Sequence, residues 1–253
     1  MYAAERQQAI LTAARADGRV EVSALADALQ VTPETVRRDL TALERLGALR
    51  RVHGGALPVE RLELEPTLAA RREHLADEKS RIAARALAEL PVEGTVLLDA
   101  GSTTQALAER FPQDRELTVV TNSIAIAATL LGHPGVELYL LGGRIRPRTG
   151  AAVGTWASSA LAEVAVDVAF LGTNGFSVSR GMTTPDQAEA VAKRAMVSSA
   201  RRSVVLADSS KAEVVHFHRF ATVAEIALLV TDRGLDEETS GRLEAAGTDV
   251  VRV

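Results

Sequence analysis

Hydrophobic positions in the first fifty residues recur at helical spacing, whereas beyond residue 76 they gather into short runs separated by amphipathic stretches. Ile10, Leu11 and Ala14 share one face of a helix expected over Ala4–Arg15, and Leu25 and Leu29 share a face of a shorter one over Val22–Leu29. Thr32-Pro33-Glu34 then opens a third helix with a capping hydroxyl, a proline at the first helical position and an acid in the first turn. Val36, Leu40 and Leu43 fall at i, i+4 and i+7 and face a core. The opposite face carries Glu34, Arg38, Thr41 and Arg45, flanked by Thr35 and Arg37. After it, Ala48 to Ala56 reads as a β-hairpin in which Arg50, Arg51 and His53 precede a Gly54-Gly55 turn.

The second half has a different texture. Strands are expected at Thr95–Asp99, Thr118–Thr121, Val136–Leu141, Val168–Leu171, Ser203–Ala207, Ile226–Thr231 and Asp249–Val253. Helical patterns lie between many of them, at Thr103–Arg110, Ser123–Leu131, Thr155–Val164, Pro185–Ser199 and Asp236–Ala246. Alternation of this kind predicts an α/β domain with a mainly parallel, Rossmann-like sheet covered by helices. The organisation expected is a helical domain over 1–57, a Glu- and Arg-rich linker over 58–75 and an α/β domain over 76–253.

Composition narrows the function classes. The chain has no cysteine, which excludes disulfides and thiolate metal sites. No apolar run reaches the ~18 residues of a membrane span, and the first fifteen residues carry Glu5, Arg6 and Arg15 where a signal peptide would be apolar. A cytoplasmic protein is expected. The net charge of −4 offers no broad attraction for nucleic acid, and residues 1–75 balance 11 Arg against 11 acids. Any DNA footprint must be a local patch. Of 29 basic residues only Lys79, Lys193 and Lys211 are lysines. Codon bias explains the skew, yet a lysine retained in such a chain can mark a place where a compact ammonium is required.

Two guanidiniums and small hydroxyls at the head of a capped helix suit guanine edges and phosphates in a major groove, and a basic hairpin behind it suits a wing. A small helical domain with merely solvated arginines is the competing reading. At this point the chain resembles the DeoR family of repressors. The resemblance is carried by Arg6 to Leu11, Gly18 to Val22, Leu25-Ala26, Val31 to Leu40, Leu46-Gly47 and His53 to Ala56, with Thr32 where the family usually has Ser. It implies a winged helix-turn-helix that binds operator double-stranded DNA through Thr32, Glu34, Thr35, Arg37, Arg38, Thr41, Arg45, Arg50, Arg51 and His53.

Three loops after expected strands carry anion-binding chemistry: Asp99-Ala100-Gly101-Ser102-Thr103-Thr104, Thr121-Asn122-Ser123 and Asp208-Ser209-Ser210-Lys211. Each alone could serve only to cap a helix or brace a turn. Together, at the carboxyl edge of a parallel sheet, they predict a phosphate cradle in which Gly101 turns tightly and hydroxyls, N–H groups and Lys211 meet an anion. This half is also similar to the DeoR sensor domain, and the resemblance adds Lys79, Gly143, Gly175 and Lys193 to the effector-binding set. It further implies kinship with ribose-5-phosphate isomerase and glucosamine-6-phosphate deaminase, which raises the alternative of an enzyme with a DNA-binding extension. The stretch Phe170 to Phe176 holds no acid or His to act as a base, and His216 and His218 are expected at the periphery. No catalytic residue, metal or cofactor is therefore assigned. The resemblance implies a sugar-phosphate-responsive repressor, with fructose 1-phosphate as the first candidate, acting as a homodimer or homotetramer.

Overall fold

The computed structural model describes residues 3–17, 20–45, 49–52, 54–58 and 66–253. It divides into two compact units, Met1–Glu65 and Pro66–Val253. The stretch expected as a linker, 58–75, straddles the boundary between them. From Pro66 on it belongs to the second unit and contains a helix whose first turn is capped by Thr67 Oγ1, which accepts from Ala70 N at 3.3 Å. Its Leu-Ala-Ala-Arg-Arg-Glu sequence buries no side chain, so it shows no apolar stripe to betray it.

The first unit runs α1 (Ala3–Asp17), β1 (Val20–Glu21), α2 (Val22–Leu29), α3 (Pro33–Arg45), β2 (Leu49–Val52) and β3 (Gly55–Pro58). Three helices and a small antiparallel sheet of order β1-β3-β2 make a winged helix-turn-helix, with β2 and β3 as the hairpin. Strand β1 has only two residues and no readable period. Ile10, Ala14, Leu25, Val36, Leu40, Leu43, Leu49 and Ala56 form its core. Asp39 lies among them, 4% exposed. Its carboxylate takes Arg6 Nε at 2.5 Å and Nη2 at 3.2 Å, together with Gln7 Nε2 at 3.1 Å, tying α3 to α1. Asp39→Ala is expected to lower the melting temperature of this unit by several degrees, as loss of a buried charged hydrogen-bond partner does in a small domain. Differential scanning calorimetry checks it, and an unchanged transition would rule the clasp out as a stability element.

The second unit contains α4 (Leu68–Glu73), α5 (Ala76–Ala86), β4 (Glu93–Leu98), α6 (Ser102–Ala108), β5 (Glu116–Thr121), α7 (Ile124–Leu130), β6 (Val136–Leu140), β7 (Arg144–Arg146), β8 (Ala151–Val153), α8 (Thr155–Ala162) and β9 (Val166–Gly172). It continues with β10 (Gly175–Ser177), β11 (Gly181–Thr184), α9 (Gln187–Ser199), β12 (Ala200–Leu206), β13 (His218–Ala221), β14 (Leu228–Thr231), α10 (Glu237–Ala245) and β15 (Asp249–Arg252). Seven strands form one sheet of order β15-β14-β12-β9-β4-β5-β6, and all their pairings are parallel. These are the seven strands expected from sequence. Helices α5, α6 and α7 contribute Ile82, Leu107 and Ile126 to the core on one face, and α8, α9 and α10 contribute Leu161, Met196 and Leu243 to that on the other. Chain order reverses between β4 and β9, so the crevice where a doubly wound sheet takes its ligand opens beyond Leu98 and Gly172. A small antiparallel sheet, β10-β11-β13, and the β7–β8 hairpin have no counterpart among the expected strands; at three and four residues their strands are too short to show a period.

Candidate functional site

The exposed surface of α3 is the DNA-reading candidate. Thr32 Oγ1 accepts from Thr35 N at 3.2 Å, capping the helix, and lies 2.9 Å from Thr35 Oγ1. Thr41 Oγ1 donates to Arg37 O at 2.8 Å. Arg37 is loosely paired with Glu34 at 3.4 Å, both side chains more than half exposed, and Arg38 is exposed with no ion pair among the described residues. Arg45 ends α3, Arg50 stands opposite Leu57 and Arg51 opposite Ala56 in the hairpin, and His53 lies outside the described residues. Of Arg37 and Arg38, the latter is thus the more available candidate. Arg38→Ala is expected to cost about 1–3 kcal/mol of operator affinity if it reads a guanine, with Arg37→Ala weaker in effect. Equal affinity of both variants and wild type in a gel-shift titration would remove α3 from the groove.

At the switch point, Lys193 from α9 reaches Asp99 Oδ2 and donates to Gly172 O at 2.9 Å, while Gly172 N donates to the same Asp99 oxygen at 3.0 Å. Both charged side chains are buried, and the ammonium lies 5.4 Å from the centre of the Phe220 ring. The ends of β4 and β9 are thereby stapled together. Lys193 and Asp99, assigned to the effector from the sequence, are each other's partners. The neighbouring polar groups are also occupied within the protein. Thr104 Oγ1 donates to Asp99 O at 2.6 Å, and Thr121 Oγ1 to Leu98 O at 2.7 Å. Ser123 Oγ accepts from Ile126 N at 3.2 Å. Asn122 accepts from Ala100 N at 2.9 Å and donates to Ala152 O at 3.2 Å. Thr104, Thr121, Asn122 and Ser123 therefore help to hold the loops in shape. Gly101 is extended, φ −179°, so no tight turn demands it. Ser102 and Thr103 keep hydroxyls with no hydrogen bond among the described residues.

The other two lysines meet at the end of β12. Lys79 is buried, 3.9 Å from Asp208, and its ammonium donates to Arg71 O at 2.5 Å and to His74 O. Burial pulls it below its ordinary 10.5, Asp208 opposes the shift and Lys211 reinforces it. Lys211 sits on a 3-10 turn over Ser209–Lys211 that Asp232 holds, accepting from Ser209 N at 2.6 Å and from Ser209 Oγ at 2.8 Å. Burial raises the Asp232 carboxyl, but those donors and Gly234 N bring it below its ordinary 3.8. The Lys211 ammonium has no hydrogen bond or ion pair among the described residues, and Ser210 Oγ donates to Asp208. Lys79 and Ser102 also line a cavity of about 200 Å³ with Arg72, Ser80, Glu109 and Arg110.

Gly143 and Gly175 have packing reasons to be glycine. A Cβ at Gly143 would stand 2.8 Å from Val153 O in a backbone of φ +147°, and one at Gly175 would stand 2.2 Å from Val214 O. Arg146 is 3.1 Å from Asp186 and 3.2 Å from buried Glu189, whose carboxylate also takes Thr149 Oγ1 at 2.6 Å. This cluster pins the β7–β8 hairpin to the head of α9, and no sequence spacing links residues so far apart. His216 Nε2 lies 3.2 Å from Asn174 O, so it is beside the central stretch rather than remote from it.

A DeoR-like helix-turn-helix domain matches residues 6–61, and a DeoR C terminal sensor domain matches residues 74–233. The chain belongs to the DeoR family. Over 252 residues, 99% of this chain and 98% of the relative, it is 40% identical to the HTH-type transcriptional regulator GlpR of Haloferax volcanii. It is 33% identical to the HTH-type transcriptional repressor GlcR of Bacillus subtilis, over 99% of this chain and 96% of that one. Among solved structures, ribose 5-phosphate isomerase A from Methanocaldococcus jannaschii overlays 54% of each chain with a TM-score of 0.41 and 17% identity. As a DeoR-family member the chain is a DNA-binding transcriptional regulator, and the enzyme reading is not favoured. No helix among the described residues is long and apolar enough to cross a membrane.

Proposed function

We propose that this DeoR-family chain is a cytoplasmic repressor of sugar-metabolism genes whose grip on operator DNA is set by a phosphorylated sugar bound at the carboxyl edge of its parallel sheet. The observation that carries the reading is the pair of lysines around Asp208: Lys79 is held by the protein, and Lys211 has no ion pair among the described residues. A phosphate is met by Lys211 with the hydroxyls of Ser102 and Thr103, and Asp208 accepts from sugar hydroxyls. Asp99 and Lys193 keep the crevice in shape. The signal has a short route. Lys79 grips the carbonyls that end α4, and Leu68 N at the other end donates to Arg148 O at 3.0 Å. Helix α4 is the first element after the DNA-reading unit along the chain, so an anion that draws on Lys79 acts on the helix that follows that unit in sequence. Operators are commonly read by symmetric pairs, so the chain works as a homodimer or homotetramer joined through the second unit.

Thermal unfolding against a panel of sugar phosphates, with fructose 1-phosphate first, tests the reading. A ligand of the native state stabilises by about 2.7 kcal/mol at a hundredfold excess over its Kd. The melting temperature should rise with concentration for one sugar phosphate and for neither free fructose nor inorganic phosphate at the same concentration. A panel without any shift would defeat the proposal.

A further inference from the structure

We propose that two copies of this chain pair edge to edge along β6, antiparallel and centred on Leu138, joining their sheets across a two-fold axis. Strand β6 ends the seven-stranded sheet and hydrogen-bonds only to β5 within it. Leu117 N donates to Gly135 O and Leu141 N to Thr121 O, so the odd-numbered residues of this stretch face β5. The N–H and C=O of Leu138 and Leu140 consequently point outward, and they carry no hydrogen bond among the described residues. Val136 N is already held by His133 O. An open edge of this kind is a template for another strand, and proteins that keep one unpaired usually blunt it with lysine, proline or a bulge. The Val136-Glu137-Leu138-Tyr139-Leu140 strand has no lysine or proline, and its five-residue pairing with β5 runs without a register shift.

The side chains say which strand fits. Tyr139 and Leu140 are 53% and 52% exposed, and Ile124 at the head of α7 and Ile145 on β7 are exposed too. With Leu138 on the axis, Leu138 of one copy exchanges both backbone bonds with Leu138 of the other, and each Leu140 N meets the Val136 O opposite. The non-hydrogen-bonded pairs then set Tyr139 against Glu137 on both sides of the axis. Tyr139 Oη already donates to its own Glu137 at 3.0 Å, on the face away from the half-buried Val136 and Leu138. Donor opposite acceptor, twice about one axis, is what two identical strands provide and an unrelated strand does not. The far edge, β15, is less inviting: within four residues it carries both Asp249 and Arg252.

The proposal rests on the reading that the chain pairs, and the test separates the two. In sedimentation velocity at micromolar concentration the wild type should associate. Tyr139→Lys/Leu140→Lys, which alters two exposed positions, should lose one step of assembly, its dissociation constant rising at least tenfold, with an unchanged melting temperature. Independently, Leu138→Cys in this cysteine-free chain should give a disulfide-linked dimer on mild oxidation, because a hydrogen-bonded antiparallel pair sets Cα atoms about 5.5 Å apart, within the range a disulfide spans. A monomeric wild type would overturn both the pairing and this surface. Undiminished assembly of the double-lysine variant, or failure of the Leu138→Cys variant to cross-link although it assembles, would overturn the β6 edge alone.

Discussion

Lys193→Met is expected to destabilise the second unit by about 3–5 kcal/mol, the usual cost of removing one partner from a buried ion pair. The reason is the carboxylate left behind. Asp99 is 2% exposed, and without the ammonium its Oδ2 retains only the Gly172 N–H at 3.0 Å. Gly172 O loses its donor as well. Removing the charge from both sides tests whether the pair, and not the volume of the side chain, is responsible: Lys193→Met/Asp99→Asn leaves no stranded charge and should recover most of the loss. Urea unfolding of wild type, both single variants and the double variant gives the coupling directly. If the losses of the two single variants simply add in the double, Lys193 and Asp99 act separately and the staple across β4 and β9 is wrong.

The same pair shows how far the chain could be read before its fold was known. The seven sheet strands were legible because strands buried on both faces are short, nearly continuous apolar runs, as Val168-Ala169-Phe170-Leu171 is. Helix α3 was legible because cap, proline and stripe agree. Asp39 could have been noticed, since it falls three residues after Val36 and four before Leu43, and an acid at a core position calls for a cation. The site was harder. Loop chemistry put Asp99, Thr104 and Thr121, and the family resemblance put Lys193, at the carboxyl edge of the sheet, but neither could say which way each polar atom turns, and several turn inward. The grip of Lys79 on α4 depends on a helix with no apolar stripe and on two carbonyls, which no side-chain pattern encodes. Arg146 and Glu189 meet only because β7 and α9 are folded together.

Lys211 carries an ammonium that the fold leaves without a partner among the described residues, and its removal should desensitise the sensor without loosening the repressor. A charge-assisted hydrogen bond contributes about 1.5–3 kcal/mol, so Lys211→Ala should weaken the effective sugar phosphate roughly tenfold to a hundredfold. The variant should fold normally: the 3-10 turn is held by Asp232 through Ser209, and the lysine side chain takes no part in it. Removing Lys211 also relieves its repulsion of Lys79, so the clasp on Arg71 and His74 should tighten rather than fail. Operator affinity without sugar phosphate should therefore equal that of wild type. Linkage requires the ligand to prefer one of the two states, and the variant should respond in the same direction as wild type but at higher ligand concentration. The measurement is operator affinity across a titration of fructose 1-phosphate, or of whichever sugar phosphate raises the melting temperature, for both proteins. A Lys211→Ala chain that responds at wild-type ligand concentrations would place the phosphate away from the loop that ends β12. A chain that loses operator binding in the absence of ligand would instead make Lys211 part of the frame that holds α4.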